Sequence, residues 1–419
     1  MQGATVRLGD MCDLIAEPVR PGARPDALYV GLEHLAPGRL VRIGGGQASE
    51  MRSNTSAFRS GDVLYGKLRP YLDKAVLTDA AGVCTTELLV LRTKPDVEPR
   101  FLATVVHSPA FREHAVAGTT GVQHPRTSWA HIREFEMPTF TIHEQRRTAD
   151  LLWLVHEAIS KSEALVEEGQ ALKRAAMRTL FTSGLRGEPQ KETEIGPIPE
   201  SWRLTALASV REKLQYGTSV RCTYEVSERP VLRIPNVRPQ HIDTDDLKYC
   251  SLTGPDATKY QLEDGDLIFI RTNGVLDRLG SCAVYNGNPV DALFASYLIR
   301  ARMNQQRILP HYAAAFFSSE TGSRVVSARA IAASDGKYNL NAAAIDSFVL
   351  PLPGTYSEQR EIVEMLDSIN LQIDLHRRKR AVLEELFKTL LRQLMMGAVV
   401  DRKLYLSGLM EDSNGTRDI

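Results

Sequence analysis

Two stretches of the chain carry apolar residues at helical spacing, and both open on the same phrase. "TIHEQRRTADLL" begins at Thr141 and "TYSEQREIVEML" at Thr355, 214 positions further on. In each, Thr and the Glu three residues later have the spacing of a capping box, which satisfies free amides where a helix begins. No proline interrupts 142–184 or 357–397. In the second stretch Ile362, Leu366, Ile369, Ile373, Leu383, Phe387, Leu390 and Leu394 fall on alternating four- and three-residue steps, with His376 and Arg380 completing the seam. The first shows it less cleanly through Leu152, Val155, Ile159, Val166, Leu172 and Leu180. This spacing predicts two long helices that pack on each other as a coiled coil. Gly184 and Gly397 stand where C-caps belong.

The segments before these helices read as strands and short helices, and they repeat. "SGDVLYGKLRPYLDKAVL" from Ser60 parallels "DGDLIFIRTNGVLDRLGSCAV", whose GD stands at Gly265–Asp266. "GVQHPRTSWAHIREFEMPTF" and "GKYNLNAAAIDSFVLPLPG" precede the two T-x-x-E-Q-R phrases, and "VRLGDMCDL" pairs loosely with "WRLTALASV". The order is kept across four blocks, which chance explains poorly. "DVLYG", "KAVLT", "ELLVLRT", "DLIFIRT", "SCAVY" and "SYLIRAR" predict strands. "EPRFLATVVHSPAFREHAV" and "LPHYAAAFFSSETGSRVV" each predict a helix at an equivalent place. The expected class is α+β: two similar mixed α/β lobes in tandem, 1–140 and 200–354, followed by long helices at 141–184 and 355–397. The proline-bearing 185–199 reads as a linker and 398–419 as a polar tail.

Length and composition fit this plan. A chain of 419 residues with 43% hydrophobic and 24% charged residues is that of a multi-domain soluble protein. No apolar run is long enough to span a membrane, and the first residues lack a signal-peptide layout. Five scattered cysteines without a C-x-x-C pair suit reduced thiols in a cytoplasm. Net charge is zero, yet 1–140 holds 13 Arg and 3 Lys, and 200–354 holds 13 Arg and 4 Lys. Arg suits phosphates and guanine edges, although a GC-rich genome explains the same bias.

Catalytic motifs are not found. "GDVLYGKL" imitates a phosphate-binding loop, but Leu68 stands where Ser or Thr would hold magnesium and Pro70 opposes the helix such a loop requires. His124 and His131 are too sparse for a metal site. Instead, polar loops stand at matched places. In the first lobe these bring Lys67, Arg69, Tyr71 and Lys74, then Thr119, Thr120, Gln123, His124, Arg126 and Thr127. The second lobe offers Arg271, Thr272, Asn273 and Arg278, then Lys337, Tyr338, Asn339 and Asn341. Such side chains read base edges and hold phosphates. Two unlike sets at equivalent positions would let similar lobes read different sequences.

The tandem lobes, the repeated T-x-x-E-Q-R start, "IGPIPESW" before the second lobe and the ending "LFKTLLRQLMMG" resemble the specificity subunit of type I restriction-modification systems. The resemblance implies an antiparallel, pseudo-twofold pair of helices holding the lobes apart, each lobe reading half of a split site in double-stranded DNA. It implies two methyltransferase (modification) subunits carrying S-adenosylmethionine, docked on or near the helices, and restriction subunits using ATP and magnesium. This chain itself would hold no metal or cofactor and perform no catalysis. Leu152, Val155, Ile159, Ile362, Leu366, Ile369, Leu383, Phe387, Leu390 and Leu394 are the expected pairing and docking residues. Two alternatives stay open: a coiled-coil scaffold whose lobes bind protein, and an enzyme with an unrecognised site. Salt-dependent duplex binding opposes the first, and cofactor binding by the chain would reveal the second.

Overall fold

The computed structural model describes residues 4–226, 229–334 and 336–396. The chain forms two compact units, Met1–Ala164 with His376–Ile419, and Leu165–Leu375. Each unit therefore contains one lobe and one half of each long helix, whereas the sequence pattern placed the divisions at the helix ends. The physical reason is that each lobe shares its core with both helices.

In the first unit, four antiparallel strands are ordered Cys12–Ile15, Leu88–Thr93, Val63–Gly66 and Ala75–Leu77. A second sheet contains the parallel pair Leu28–Val30 and Gly82–Thr85, and Thr5–Arg7 pairs with Glu136–Pro138. The second unit repeats this plan. Its four strands run in the order Arg211–Tyr216, Leu298–Met303, Asp266–Ile270 and Cys282–Val284. Arg229–Leu232 pairs in parallel with Leu293–Phe294, and Arg203–Ala206 pairs antiparallel with Val349–Leu352. The central strands Val63–Gly66 and Asp266–Ile270 are buried along their whole length, as their unbroken apolar runs require.

The repeated GD has a structural cause. Asp62 accepts the Arg59 amide at 2.8 Å and bonds Arg92 side-on at 2.7 and 2.8 Å. Asp266 accepts the Glu263 amide at 2.8 Å and bonds Arg302 side-on at 2.9 Å through both oxygens. Each buried carboxylate thus closes the turn before its strand and neutralises an arginine on the neighbouring strand.

Each segment expected to form one helix after the sheet forms two. Pro99–Val105 and Pro109–Ala117 are separated because Pro109 fits only a first turn, with Ser108 Oγ accepting the Phe111 amide at 3.2 Å. Pro310–Phe317 and Glu320–Ser327 divide at Ser319, whose Oγ accepts the Gly322 amide at 3.0 Å. The expected linker is also structured. Gln190–Thr193 and Gly196–Pro199 form an antiparallel hairpin, with its prolines tolerated because the two strands form no larger sheet. Ile198 and Trp202 anchor this region in the second unit's core.

The long helices are Ile142–Ser183 and Tyr356–Met395. Gly184 follows the first with a left-handed φ of 64°, as a C-cap requires; Gly397 and 398–419 lie outside the described residues. At the first start the Thr141 amide donates to Glu144 at 2.8 Å, and the Glu144 amide donates to Thr141 Oγ1 at 3.3 Å. At the second, the Glu358 amide donates to Thr355 Oγ1 at 3.3 Å, while the Glu358 carboxylate accepts from the Trp202 indole at 3.3 Å.

Within the first unit Leu152, Val155 and Ile159 share a core with Phe387, Leu390 and Leu394. In the second, Met177, Leu180 and Phe181 share one with Ile362 and Leu366. In the second unit Gly169 lies beside Ile373 and Gly184 beside Glu358, so partners rise in number on one helix as they fall on the other and the pairing is antiparallel. Ile369 and Leu383 are half-buried. Leu172 departs from the expected seam, being 58% exposed.

Candidate nucleic-acid interface

The matched polar loops meet in each lobe, by the same backbone bonds. In the first, the Thr127 amide donates to the Lys67 carbonyl at 3.0 Å, Leu68 bridges Arg126, and the Arg69 amide donates to the Pro125 carbonyl at 2.7 Å. In the second, the Leu340 amide donates to the Arg271 carbonyl at 2.7 Å, and Thr272–Asn273 pairs antiparallel with Tyr338–Asn339. The other edge is also equivalent: the Lys67 amide donates to the Glu87 carbonyl at 3.0 Å, and the Arg271 amide to the Tyr297 carbonyl at 3.1 Å. This register superimposes Lys67 on Arg271, Arg69 on Asn273, Arg126 on Asn339 and Glu87 on Tyr297. Each lobe thus presents a small antiparallel ribbon at the end of its GD strand, joined on its far edge by Thr120 in the first lobe and by Ile331–Ala332 in the second.

The side chains differ in exposure and in the bonds they make. Tyr71, Thr120, Gln123 and His124 are exposed in the first lobe, as are Arg278 and Lys337 in the second. Arg126 is exposed and held in a plane by Glu87, with Nε and Nη2 donating at 2.9 and 3.2 Å. The carboxylate's hydrogen bonds and charge raise the Arg126 pKa. Arg69 adopts φ 51° and donates from Nη2 to the Gln123 carbonyl at 3.4 Å. Asn273 accepts the Val275 amide at 2.9 Å through Oδ1.

Several expected contact residues serve the fold instead. Lys74 donates to the Leu32 carbonyl at 2.6 Å, and Thr119 Oγ1 donates to the Val116 carbonyl at 2.8 Å. Thr127 is buried. Asn341 caps the Ala342–Asp346 helix, accepting the Ala344 amide at 2.8 Å; Ser128 caps the equivalent Trp129–Ile132 helix. Arg271 is half-buried, donating to the Ser296 carbonyl at 3.1 Å, its guanidinium 5.0 Å from the Tyr216 ring centre. Glu87 and Tyr216 were missed by sequence reasoning, because neither lies in a polar loop of the repeat. His131 stacks on His114 at 4.3 Å, and each donates from Nε2 to the other's backbone carbonyl. Among the described residues no group of His, Cys, Asp and Glu is arranged to hold a metal ion, and no helix is long and apolar enough to cross a membrane.

Residues 205–385 match the type I restriction modification DNA specificity domain. The chain is 24% identical over 282 residues to the EcoKI type I restriction enzyme specificity subunit of Escherichia coli, covering 67% of this chain and 60% of that one. It is 26% identical over 219 residues to a putative MjaX specificity subunit of Methanocaldococcus jannaschii, covering 51% and 50%. It therefore spans about half to three-fifths of the length of these curated relatives. Among solved structures, the type I restriction-modification S subunit of M. genitalium has a TM-score of 0.59 at 15% identity, over 94% of this chain and 96% of that chain. A chain from a structure of type I complex assembly and conformational transition has a TM-score of 0.55 at 20% identity, over 95% and 99%. The fold is thus that of a DNA specificity subunit. Residues 205–385 match a type I restriction modification DNA specificity domain, and the fold is similar to that of the solved type I S subunit.

Proposed function

We propose that this chain is the DNA-recognition subunit of a type I restriction-modification complex, each lobe reading one half of a split duplex site. The observation that carries the proposal is the matched ribbon, built by the same backbone bonds in both lobes and furnished with different side chains. A shared scaffold with unlike polar surfaces suits two similar reading heads for two sequences. The chain supplies recognition, and the chemistry belongs to partners: methyltransferase subunits with S-adenosylmethionine, and restriction subunits with ATP and magnesium.

The docking surface in this reading lies on the outward sides of the long helices. In the second unit Leu165, Leu172, Leu371 and Leu375 are exposed apolar residues. In the first, Leu154 and Val382 are exposed in the same way. Such residues support a protein partner more readily than a solvated helix face.

The purified full chain should bind duplex DNA with an affinity that falls linearly in log–log form as salt rises. With S-adenosylmethionine, ATP and magnesium it should neither methylate nor cleave until a cognate methyltransferase subunit is added. Turnover by the chain alone, or binding insensitive to salt, would overturn the proposal.

A further inference from the structure

The equivalence of the two ribbons separates what the lobes share from what differs between them. Both keep a cation at the end of the GD strand, Lys67 in one and Arg271 in the other, each bonded through its backbone to the second ribbon strand. Arg271 is occupied by the Ser296 carbonyl and the Tyr216 ring, so this shared position holds the ribbon and does not distinguish the half-sites. Bases differ between half-sites, and the neighbouring ribbon positions differ in the same sense. The first lobe has Arg69 and Arg126 where the second has Asn273 and Asn339. Both positions thus change from arginine to asparagine.

That change has a chemical meaning in the major groove. Arginine donates twice to guanine O6 and N7, whereas asparagine accepts from adenine N6 and donates to N7. Building on the DNA-recognition reading above, we infer that the first lobe reads guanine through Arg69 and Arg126, and the second reads adenine through Asn273 and Asn339. The local geometry favours the assignments of Arg126 and Asn273. Glu87 holds Arg126 by Nε and Nη2 at 2.9 and 3.2 Å and Nη1 donates to the His124 carbonyl at 3.4 Å, which fixes the exposed guanidinium and leaves one further hydrogen on each Nη atom. A carboxylate beside that fork suits a G·C pair, because cytosine N4 is a donor and guanine offers only acceptors on this edge. Asn273 uses one Oδ1 lone pair on the Val275 amide at 2.9 Å, which fixes the amide plane and leaves its nitrogen to donate. At the position of Glu87 the second lobe has Tyr297, 59% exposed and without a carboxylate.

The test is selection of a randomised duplex library by the full chain at one fixed salt concentration, followed by sequencing. Wild-type protein should enrich two blocks separated by an unread spacer. Arg126→Asn or Arg69→Asn should weaken a guanine in one block by about ten- to a hundredfold and leave the other block unchanged. The reciprocal Asn339→Arg should replace an adenine of the second block by guanine. Glu87→Gln, which retains Arg126, should relax the cytosine partner of that guanine. Circular dichroism of each variant separates misfolding from altered reading, and the reciprocal pair keeps the test decisive where one variant is unstable. Two enriched blocks that survive these exchanges unchanged would overturn this inference and leave DNA recognition standing. An absence of any enriched block would overturn both.

Discussion

The phrase T-x-x-E-Q-R is repeated for a reason beyond helix capping, and its glutamine shows why. Gln145 accepts the Glu98 amide at 3.0 Å and donates to the Phe140 carbonyl at 3.1 Å. Gln359 accepts the Leu309 amide at 2.8 Å and donates to the Arg307 carbonyl at 3.2 Å. Glu98 and Leu309 are the residues before equivalent helices, Pro99–Val105 and Pro310–Phe317. Each buried glutamine therefore fixes a long helix to its lobe at the same point. Replacing either by Ala should cost about 1–3 kcal/mol for each backbone group left unpaired. Arg146→Ala, which removes the long 3.6 Å pair between exposed Arg146 and Glu98, should cost under about 1 kcal/mol. Urea unfolding of the three variants checks this, and equal losses would refute it. The capping role was legible from local spacing. The anchoring role was not, since the bonded amides lie 47 and 50 residues away.

A second residue-scale consequence concerns pH. His156 is buried, and its Nε2 accepts the Leu40 amide at 3.1 Å. Burial, then Arg39 and His107, pushes its pKa from 6.5 down to about 4. Between those values the unfolded chain takes up a proton that the folded chain refuses. The stabilisation is therefore complete above about pH 6.5 and is lost as pH falls toward about 4. His156→Gln keeps an acceptor for Leu40 without titrating. Its Tm should fall less than that of the wild type between pH 7 and 4, and parallel curves would exclude His156 as the cause.

At the scale of elements, periodicity revealed the helix seam but not its closest approach. The step from Val166 to Leu172 breaks the alternation of threes and fours, and Leu172 points to solvent. Gly169 lies near the seam instead, where an added Cβ would come within 2.8 Å of Ile373 Cγ1. A glycine in mid-helix costs about 0.5–1 kcal/mol relative to Ala, so its presence here fits a place where bulk is excluded. Gly169→Leu should lower Tm in spite of its better helix propensity, through overpacking of about 1–3 kcal/mol. An unchanged or raised Tm would show that the pair yields easily at this point. The loops were legible in the same partial way. Their matched order was visible, but local bonds such as the Asn341 cap decide which side chains remain for a partner, and such bonds depend on folded backbone geometry.

At the scale of the molecule, each long helix contributes one half to each compact unit. If the helices set the distance between the reading heads, the unread spacer in the DNA must follow their length. Lengthening one helix alone would offset it against its antiparallel partner and break the seam, so the informative change is made in both. Seven residues added after Glu168, and seven after Leu375, preserve the apolar stripe to within about 20° per helix. They extend the pair by about 10.5 Å at 1.5 Å per residue. Duplex DNA rises about 3.4 Å per base pair, so the preferred spacer should grow by about three base pairs. The half-sites should stay the same, because neither ribbon is altered. Matched insertions of two residues should fail, since each turns the stripe by about 200° away from its partner. Selection from a randomised duplex library reports spacer and half-sites together. An unchanged spacer at full affinity in the seven-residue variant would mean that the helices connect the lobes without measuring the site.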